Sequence, residues 1–244
     1  MPKPQEFSDI TLCLTMGGRP DLLEQSLKSI QEKWQFAQVV AINDFAEPRC
    51  DDVFKSIYPN GVLLSDGIKR GHHGAIDKLY ADIRTPYIFH TEDDWIFPEE
   101  ISFGKIKKFL DANQKVTSYC LRNPAEFLQE TERNKISAES AQDVDYYNLS
   151  HVHPEWYGYS FNPHLIKIEK IRDIGDFVQF KKERHVSVHM KKHGHFVAYA
   201  TQSLCTHIGE GVSMANPNAN KKKSKIRVWL RQQLNRIKAF VSKA

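Results

Sequence analysis

Apolar and polar positions fall into alternating blocks along the first half of the chain. Residues 9–15 form an apolar, β-rich run that stops at Met16-Gly17-Gly18-Arg19-Pro20. Pro20 suits a first helical turn, and Leu22, Leu23, Leu27 and Ile30 then recur at helical spacing. Residues 38–42, apolar from Val39 onward, read as a strand covered on both faces and end in Asn43-Asp44. Residues 62–64 predict a third strand. Residues 73–83 predict a helix through Ile76, Leu79, Tyr80 and Ile83. Residues 86–90 predict a fourth strand that runs into Thr91-Glu92-Asp93-Asp94-Trp95. Residues 99–113 then read as an amphipathic helix and 116–121 as a fifth strand. Strands separated by helices predict an α/β fold with a mostly parallel sheet and right-handed crossovers.

The second half is less regular. Residues 123–145 are polar and acid-rich with little periodicity, and read as a loop or lid. Glu155-Trp156-Tyr157-Gly158-Tyr159 is dense in aromatics. Residues 165–171 and 182–193 read as helices and 195–200 as a strand. Residues 216–220 form a turn-rich linker. Beyond it, Ile226, Trp229, Leu230, Leu234, Ile237, Phe240 and Val241 make one apolar helical stripe with Lys and Arg on the other side.

Charge changes this picture. The 244 residues carry a net charge of only +4. Residues 221–244 hold nine Lys and Arg and no acid, which leaves 25 basic against 30 acidic side chains in residues 1–220. A slightly acidic body argues against a general nucleic-acid binder. The basic amphipathic tail with Trp229 at its margin predicts a segment lying on an anionic membrane surface, the alternative being an ordinary C-terminal helix packed on the body. No apolar run approaches the roughly 18 residues of a membrane span, and residues 1–6 lack the apolar stretch of a secretory signal. The four cysteines are scattered and form no C-x-x-C pattern, so reduced thiols in a cytoplasmic protein are expected.

The chemistry concentrates at predicted strand ends. Three adjacent carboxylates, Glu92, Asp93 and Asp94, repel one another and call for something positive. Their oxygens suit Mg²⁺ or Mn²⁺, although a solvated turn is the other reading. His185, His189 and His193 share one helix face but lack the H-E-x-x-H zinc pattern. They read as a solvent- or acceptor-facing stripe.

The run His90-Thr91-Glu92-Asp93-Asp94-Trp95 resembles the acidic motif of nucleotide-sugar-dependent glycosyltransferases of the GT-A fold. Its Glu-Asp-Asp form is similar to that of the N-acetylglucosaminyltransferase I group. Residues 10–23 resemble the first strand, loop and helix of family 2 glycosyltransferases. Val39-Val40-Ala41-Ile42-Asn43-Asp44 resembles their second strand with its terminal Asp. Cys205-Thr206-His207-Ile208-Gly209-Glu210-Gly211 resembles a late segment that carries a metal-binding His in many of these enzymes. The likeness spans residues 9–213 and implies a GT-A (Rossmann-like) domain over 1–215. Within it, 9–122 would form the nucleotide-sugar half and 123–215 the acceptor half, with 216–244 as linker and membrane-surface helix.

The resemblance implies roles. Thr15, Arg19, Asp44, Glu92 and Asp93 would line the nucleotide-sugar site, Asp44 accepting the imide N–H of uracil and Arg19 reaching a phosphate. Asp94 and His207 would hold Mn²⁺ or Mg²⁺. Glu183 would be the general base of an inverting transfer, with Asp173 and Asp176 as fallbacks. Its neighbours Lys181, Lys182 and Arg184 are expected to lower its pKa. Trp156 and Tyr157 would form the acceptor platform. The implied activity is sugar transfer from a nucleotide diphosphate sugar, UDP-sugar favoured, to a glycan or glycolipid acceptor in surface polysaccharide or lipopolysaccharide synthesis. The enzyme would then be cytoplasmic and peripheral at the inner membrane face. A sugar nucleotidyltransferase and a non-catalytic membrane-associated scaffold are the alternatives.

Overall fold

The computed structural model describes residues 3–209. The linker and basic helix expected over 216–244 lie outside the described residues. The chain divides after Ile208, and all the elements named below belong to the part before that division.

The first half follows the alternation of the sequence. Strand β1 (Gln5–Met16) leads through the Gly17-Gly18 loop to helix α1 (Pro20–Gln31). Then come β2 (Trp34–Asn43), α2 (Pro48–Ile57), β3 (Val62–Leu64), α3 (Gly71–Tyr80), β4 (Tyr87–Glu92) and a two-residue strand β5 (Trp95–Ile96). Helix α4 (Phe103–Ala112) and β6 (Val116–Cys120) complete this half. Helix α2 escapes the sequence reading because its apolar positions are few, yet Pro48 at its start and buried Cys50, Phe54 and Ile57 on one face explain it.

The second half holds α5 (Glu130–Arg133), β7 (Ala138–Ala141), β8 (Val144–Asn148), β9 (His164–Lys167), α6 (Ile168–Ile174), α7 (Glu183–Lys192), β10 (Phe196–Ala200) and β11 (Thr206–His207). Two expectations are corrected here. The polar stretch 123–145 is not all loop: β7 and β8 pair as a hairpin. Its turn residues Gln142 and Asp143 both have positive φ (49° and 58°), the backbone of a type I′ turn without the usual glycine. Residues 165–171 are not one helix, because His164–Lys167 is a strand pinned between β4 and β6 with Leu165 and Ile166 fully buried. A short apolar run cannot distinguish the two forms by periodicity.

Nine strands form one sheet in the order β3-β2-β1-β4-β9-β6-β10-β8-β7. The first four are parallel, as expected. From β9 onward the sheet is mixed, since β9 runs antiparallel to both neighbours and β10 pairs parallel with β6 but antiparallel with β8. Side chains alternate across the sheet. Leu12, Leu14 and Phe89 face α1, α2 and α4 through Leu27, Phe54 and Phe103. Cys13, Ile88 and Ile166 face α3, α6 and α7 through Ile76, Ile171 and Met190. Cys13, Cys50, Cys120 and Cys205 are all buried and unpaired. Among the described residues no helix is long and apolar enough to cross a membrane.

Candidate functional site

The parallel register brings the carboxyl ends of three strands to one edge, where open α/β sheets bind ligands. Thr15 lies opposite Ile42 on one side and Glu92 on the other. It is buried at the rim.

The loop after β1 reaches the acids after β4. Asp93 is fully buried and accepts from the Arg19 guanidinium and from the Gly17 N–H (2.6 Å). A Cβ on Gly17 would stand 2.9 Å from Arg19 Nη2 and 3.1 Å from Asp93 Oδ1, so a side chain here would press on that pair. Arg19 Nη1 also lies 2.7 Å from Asp94 Oδ2. Arg19 therefore supplies the positive charge that two buried carboxylates require.

Asp94 is also tied to the last of the described strands. Its backbone C=O accepts from Ile208 N (2.9 Å), and β11 pairs antiparallel with β5. This sets His207 Nε2 3.0 Å from Asp94 Oδ2, with the imidazole against Trp95 at 4.7 Å between ring centroids. Asp94 Oδ1 is buried without a hydrogen-bond partner. One carboxylate with an orphaned oxygen and one imidazole make a donor set that fits Mn²⁺ or Mg²⁺ only if a ligand supplies the remaining oxygens. Among the described residues no group of three or more His, Cys, Asp or Glu is arranged to hold a metal alone. Burial, then the Asp94, Asp93 and Glu183 carboxylates, push the Glu92 carboxyl up to about 8.

Asp44 sits at the end of β2, and its oxygens accept from Arg70 N (2.6 Å) and Gly71 N (2.9 Å). It thus caps α3, which accounts for its burial.

The aromatic segment and the helix-start acid, distant in sequence, meet in one cavity of about 260 Å³. Trp156, Tyr157 and Glu183 line it together with Arg122, Ser160 and Asn162. Tyr157 has φ 74°, a strained value for a non-glycine residue. Three hydrogen bonds hold it there: Val197 N to Tyr157 O, Gly158 N to Ser187 Oγ and Thr117 Oγ1 to Gly158 O, each 2.8 Å. These three bonds over-determine the strained backbone, which is how such a conformation persists.

Glu183 opens α7 and accepts from Phe161 N (3.1 Å). The expectation that basic neighbours depress its pKa is overturned. Lys181 and Lys182 are exposed, and Arg184 pairs with Glu155 at 3.1 Å. Burial instead raises Glu183, which improves it as a base.

Sequence reasoning missed Arg122. Its guanidinium lies 5.1 Å from the Trp95 ring centroid and 4.9 Å from that of Phe127, and Nη1 donates to Asn162 Oδ1 at 3.1 Å. It links the acid motif to the aromatic cavity. The signal was its place just past the end of β6. Also missed were His90 and His164, cross-strand partners fully buried beneath the site with ring centroids 5.2 Å apart. On α7, His189 and His193 lie 4.7 Å apart, beside Phe180 rather than in the cavity.

No protein-family model matches the sequence, and no curated protein matches it. Solved structures do match its fold. The mannosyltransferase PcManGT of Pyrobaculum calidifontis, in complex with GDP-Man and Mn²⁺, superposes with a TM-score of 0.58 at 14% identity, covering 85% of this chain and 59% of that one. Residues 1–349 of S. aureus TarS superpose with a TM-score of 0.55 at 8% identity, covering 80% and 58%. The chain thus spans less than two thirds of either. At such identities the likeness is one of fold, and that fold is GT-A-like.

Proposed function

We propose that this chain is a metal-dependent, inverting glycosyltransferase that takes a nucleotide diphosphate sugar, UDP-sugar favoured, as donor. One observation carries the reading. Asp94, with its orphaned Oδ1, and His207 converge at the strand ends, beside a cavity that joins a desolvated Glu183 to Trp156 and Tyr157. The mannosyltransferase neighbour was solved with GDP-Man and Mn²⁺, which supports the donor class.

In this reading Thr15, Arg19, Glu92 and Asp93 line the donor sugar and diphosphate. Arg19 hands part of its charge from Asp93 and Asp94 to a phosphate. Asp44 keeps its cap and uses further lone pairs for the base. Asp94 and His207 would hold Mn²⁺ or Mg²⁺, which would supply neutralisation of charge on the departing diphosphate. Trp156 and Tyr157 stack the apolar face of an acceptor sugar. Glu183 takes the proton of the attacking hydroxyl.

The Glu-Asp-Asp likeness to the N-acetylglucosaminyltransferase I group and the division at 122/123 and 215/216 belong to the same proposal. So does a glycan or lipid-linked acceptor in surface polysaccharide or lipopolysaccharide synthesis, met at the inner face of an anionic membrane through residues 221–244. The basic composition of that segment supports the membrane part.

The test is thermal melting with Mn²⁺ and a panel of nucleoside diphosphates and nucleotide sugars. Stabilisation should need metal and nucleotide together, reach about 2.7 kcal/mol at a hundredfold excess over Kd, and vanish in Asp94→Ala. Indifference to every nucleotide would sink the enzyme reading and leave the scaffold. Preference for a nucleoside triphosphate would favour the nucleotidyltransferase.

A further inference from the structure

The polar side chains of the aromatic cavity are joined in one chain of hydrogen bonds. Arg122 Nη1 donates to Asn162 Oδ1 (3.1 Å), and Asn162 Nδ2 donates to Ser160 Oγ (2.6 Å). The Ser160 hydroxyl in turn meets the Glu183 carboxyl, which also accepts from Phe161 N (3.1 Å). Arg122, Asn162, Ser160 and Glu183 all line the cavity.

The direction of every proton in this chain follows from its first member. A guanidinium only donates, so the amide facing it must present its oxygen, and the Asn162 NH₂ is thereby turned to Ser160. Ser160 Oγ receives a second donor, the Asn162 backbone N–H (3.2 Å). A hydroxyl has two lone pairs and one proton. With both lone pairs engaged, the Ser160 proton is left for Glu183. Turning the amide over would reverse the chain: Ser160 would donate to Asn162 and leave Glu183.

The first two members are firmly held. Leu121 N donates to Pro163 O (2.9 Å), which sets Arg122 and Asn162 side by side. The Arg122 guanidinium lies against the Trp95 and Phe127 rings, and its Nε pairs with Glu126 at 3.2 Å. His164 Nδ1 meets the Asn162 C=O at 2.8 Å, which fixes the backbone that carries the amide.

The arrangement answers a conflict at Glu183. Burial favours its neutral acid, whereas only a carboxylate can take up a proton. The two donors favour the charged form and occupy about two of its roughly four lone-pair sites. The others remain for a hydroxyl in the cavity. Glu92 at the end of β4, His73 of α3, Cys120 of β6, Tyr199 of β10 and Tyr159 also act on Glu183 through space. None of them belongs to the chain. We propose that Arg122 and Asn162 are positioning residues for Glu183: they aim the Ser160 proton at its carboxylate and so hold that group as an oriented proton acceptor. The inference rests on the reading of Glu183 as the base of the transfer.

The test needs no substrate. The full chain is labelled with ¹³C at the glutamate side-chain carboxyl, the Glu183 signal is assigned through Glu183→Gln, and its titration is followed. Ser160→Ala should raise the proton affinity of Glu183 about tenfold, the weight of one hydrogen bond to a charged group. Ser160→Cys keeps the bulk with a weaker donor and should act in the same direction. Asn162→Ala and Arg122→Met should each raise it about threefold, since a freed hydroxyl still meets Glu183 part of the time. In a Ser160→Ala background both of those effects should vanish, because no proton is left to aim. A direct effect of the Arg122 charge would persist there. Three results would overturn the proposal: Glu183 titrates unchanged in both Ser160 variants, it titrates unchanged in Asn162→Ala and Arg122→Met, or those two act undiminished without the Ser160 hydroxyl. The readout is Glu183 itself, so it is separate from the melting test: indifference to nucleotides sinks the enzyme reading whatever this titration shows. Where transfer is measured, the acid limb of kcat/KM should move to higher pH in the same variants.

Discussion

The two halves of the sheet surround their buried carboxylates with different partners. In the parallel half, Asp93 and Asp94 share the Arg19 guanidinium, and the Gly17 N–H donates to Asp93, whose carboxyl burial nevertheless raises. In the mixed half, Glu183 meets the Phe161 N–H and the Ser160 hydroxyl but, among the described residues, no paired Lys or Arg, and burial moves it toward its neutral form. The first solution places the fixed positive charge of Arg19 at the strand ends. The second leaves a group ready to take up a proton. A transfer reaction uses both, and the distinction can be broken experimentally.

The largest effect is expected at the paired site. Arg19→Ala leaves two buried carboxylates without their cation and should destabilise the fold by about 3–5 kcal/mol, read by urea denaturation at neutral pH. A near-neutral outcome would mean that Asp93 and Asp94 do not depend on Arg19, and the contrast would collapse. Glu183→Gln probes the other half. It should lower transfer by about 100- to 10,000-fold while shifting stability by less than about 1 kcal/mol, since the amide still accepts from Phe161 N–H. A large stability loss with modest loss of rate would mark Glu183 as structural.

Acid should act through the histidines at the seam between the halves. Burial lowers His164 from 6.5 to about 4, and it lowers His90 well below its usual value. Between those pH values the unfolded chain binds the proton and the fold does not. Stability is therefore fully present at neutral pH and is lost as pH falls through about 6.5 toward about 4. His164 alone accounts for roughly 3 kcal/mol of this. In His164→Asn the slope of stability against pH should shrink by about one proton. An unchanged slope would place the titration elsewhere. The smallest effect is expected at Asp44→Ala, which removes the cap of α3 and should lower ligand-free stability by about 1 kcal/mol.

The parallel half was largely legible in the sequence because its signals are local. Pro20 and the leucine stripe announce α1, and the apolar run ending in Asn43-Asp44 announces the C-terminal part of β2. The acids after β4 stand at a strand end in both accounts. The mixed half was less legible. The four residues of β9 read equally well as helix, and the β7–β8 turn uses Gln142 and Asp143 where glycine is usual. Of the candidate site, the grouping of Asp94 with His207 was expected from resemblance. The pairing of Arg19 with both aspartates, the capping of α3 by Asp44 and the link through Arg122 were not.

The sequence by itself determined where strands and helices fall in the first half, that three carboxylates crowd one strand end, and that the basic residues gather beyond position 220. Periodicity, turn residues and charge are properties of neighbouring positions, so they can be read along the chain. Only the tertiary structure decided what each carboxylate meets. Arg19 reaches Asp93 across 74 positions, and His207 reaches Asp94 across 113. Glu183 escapes the lysines beside it because the fold buries its carboxyl while they remain in solvent. Desolvation and pairing depend on what is near in space, and that is set only when distant segments pack.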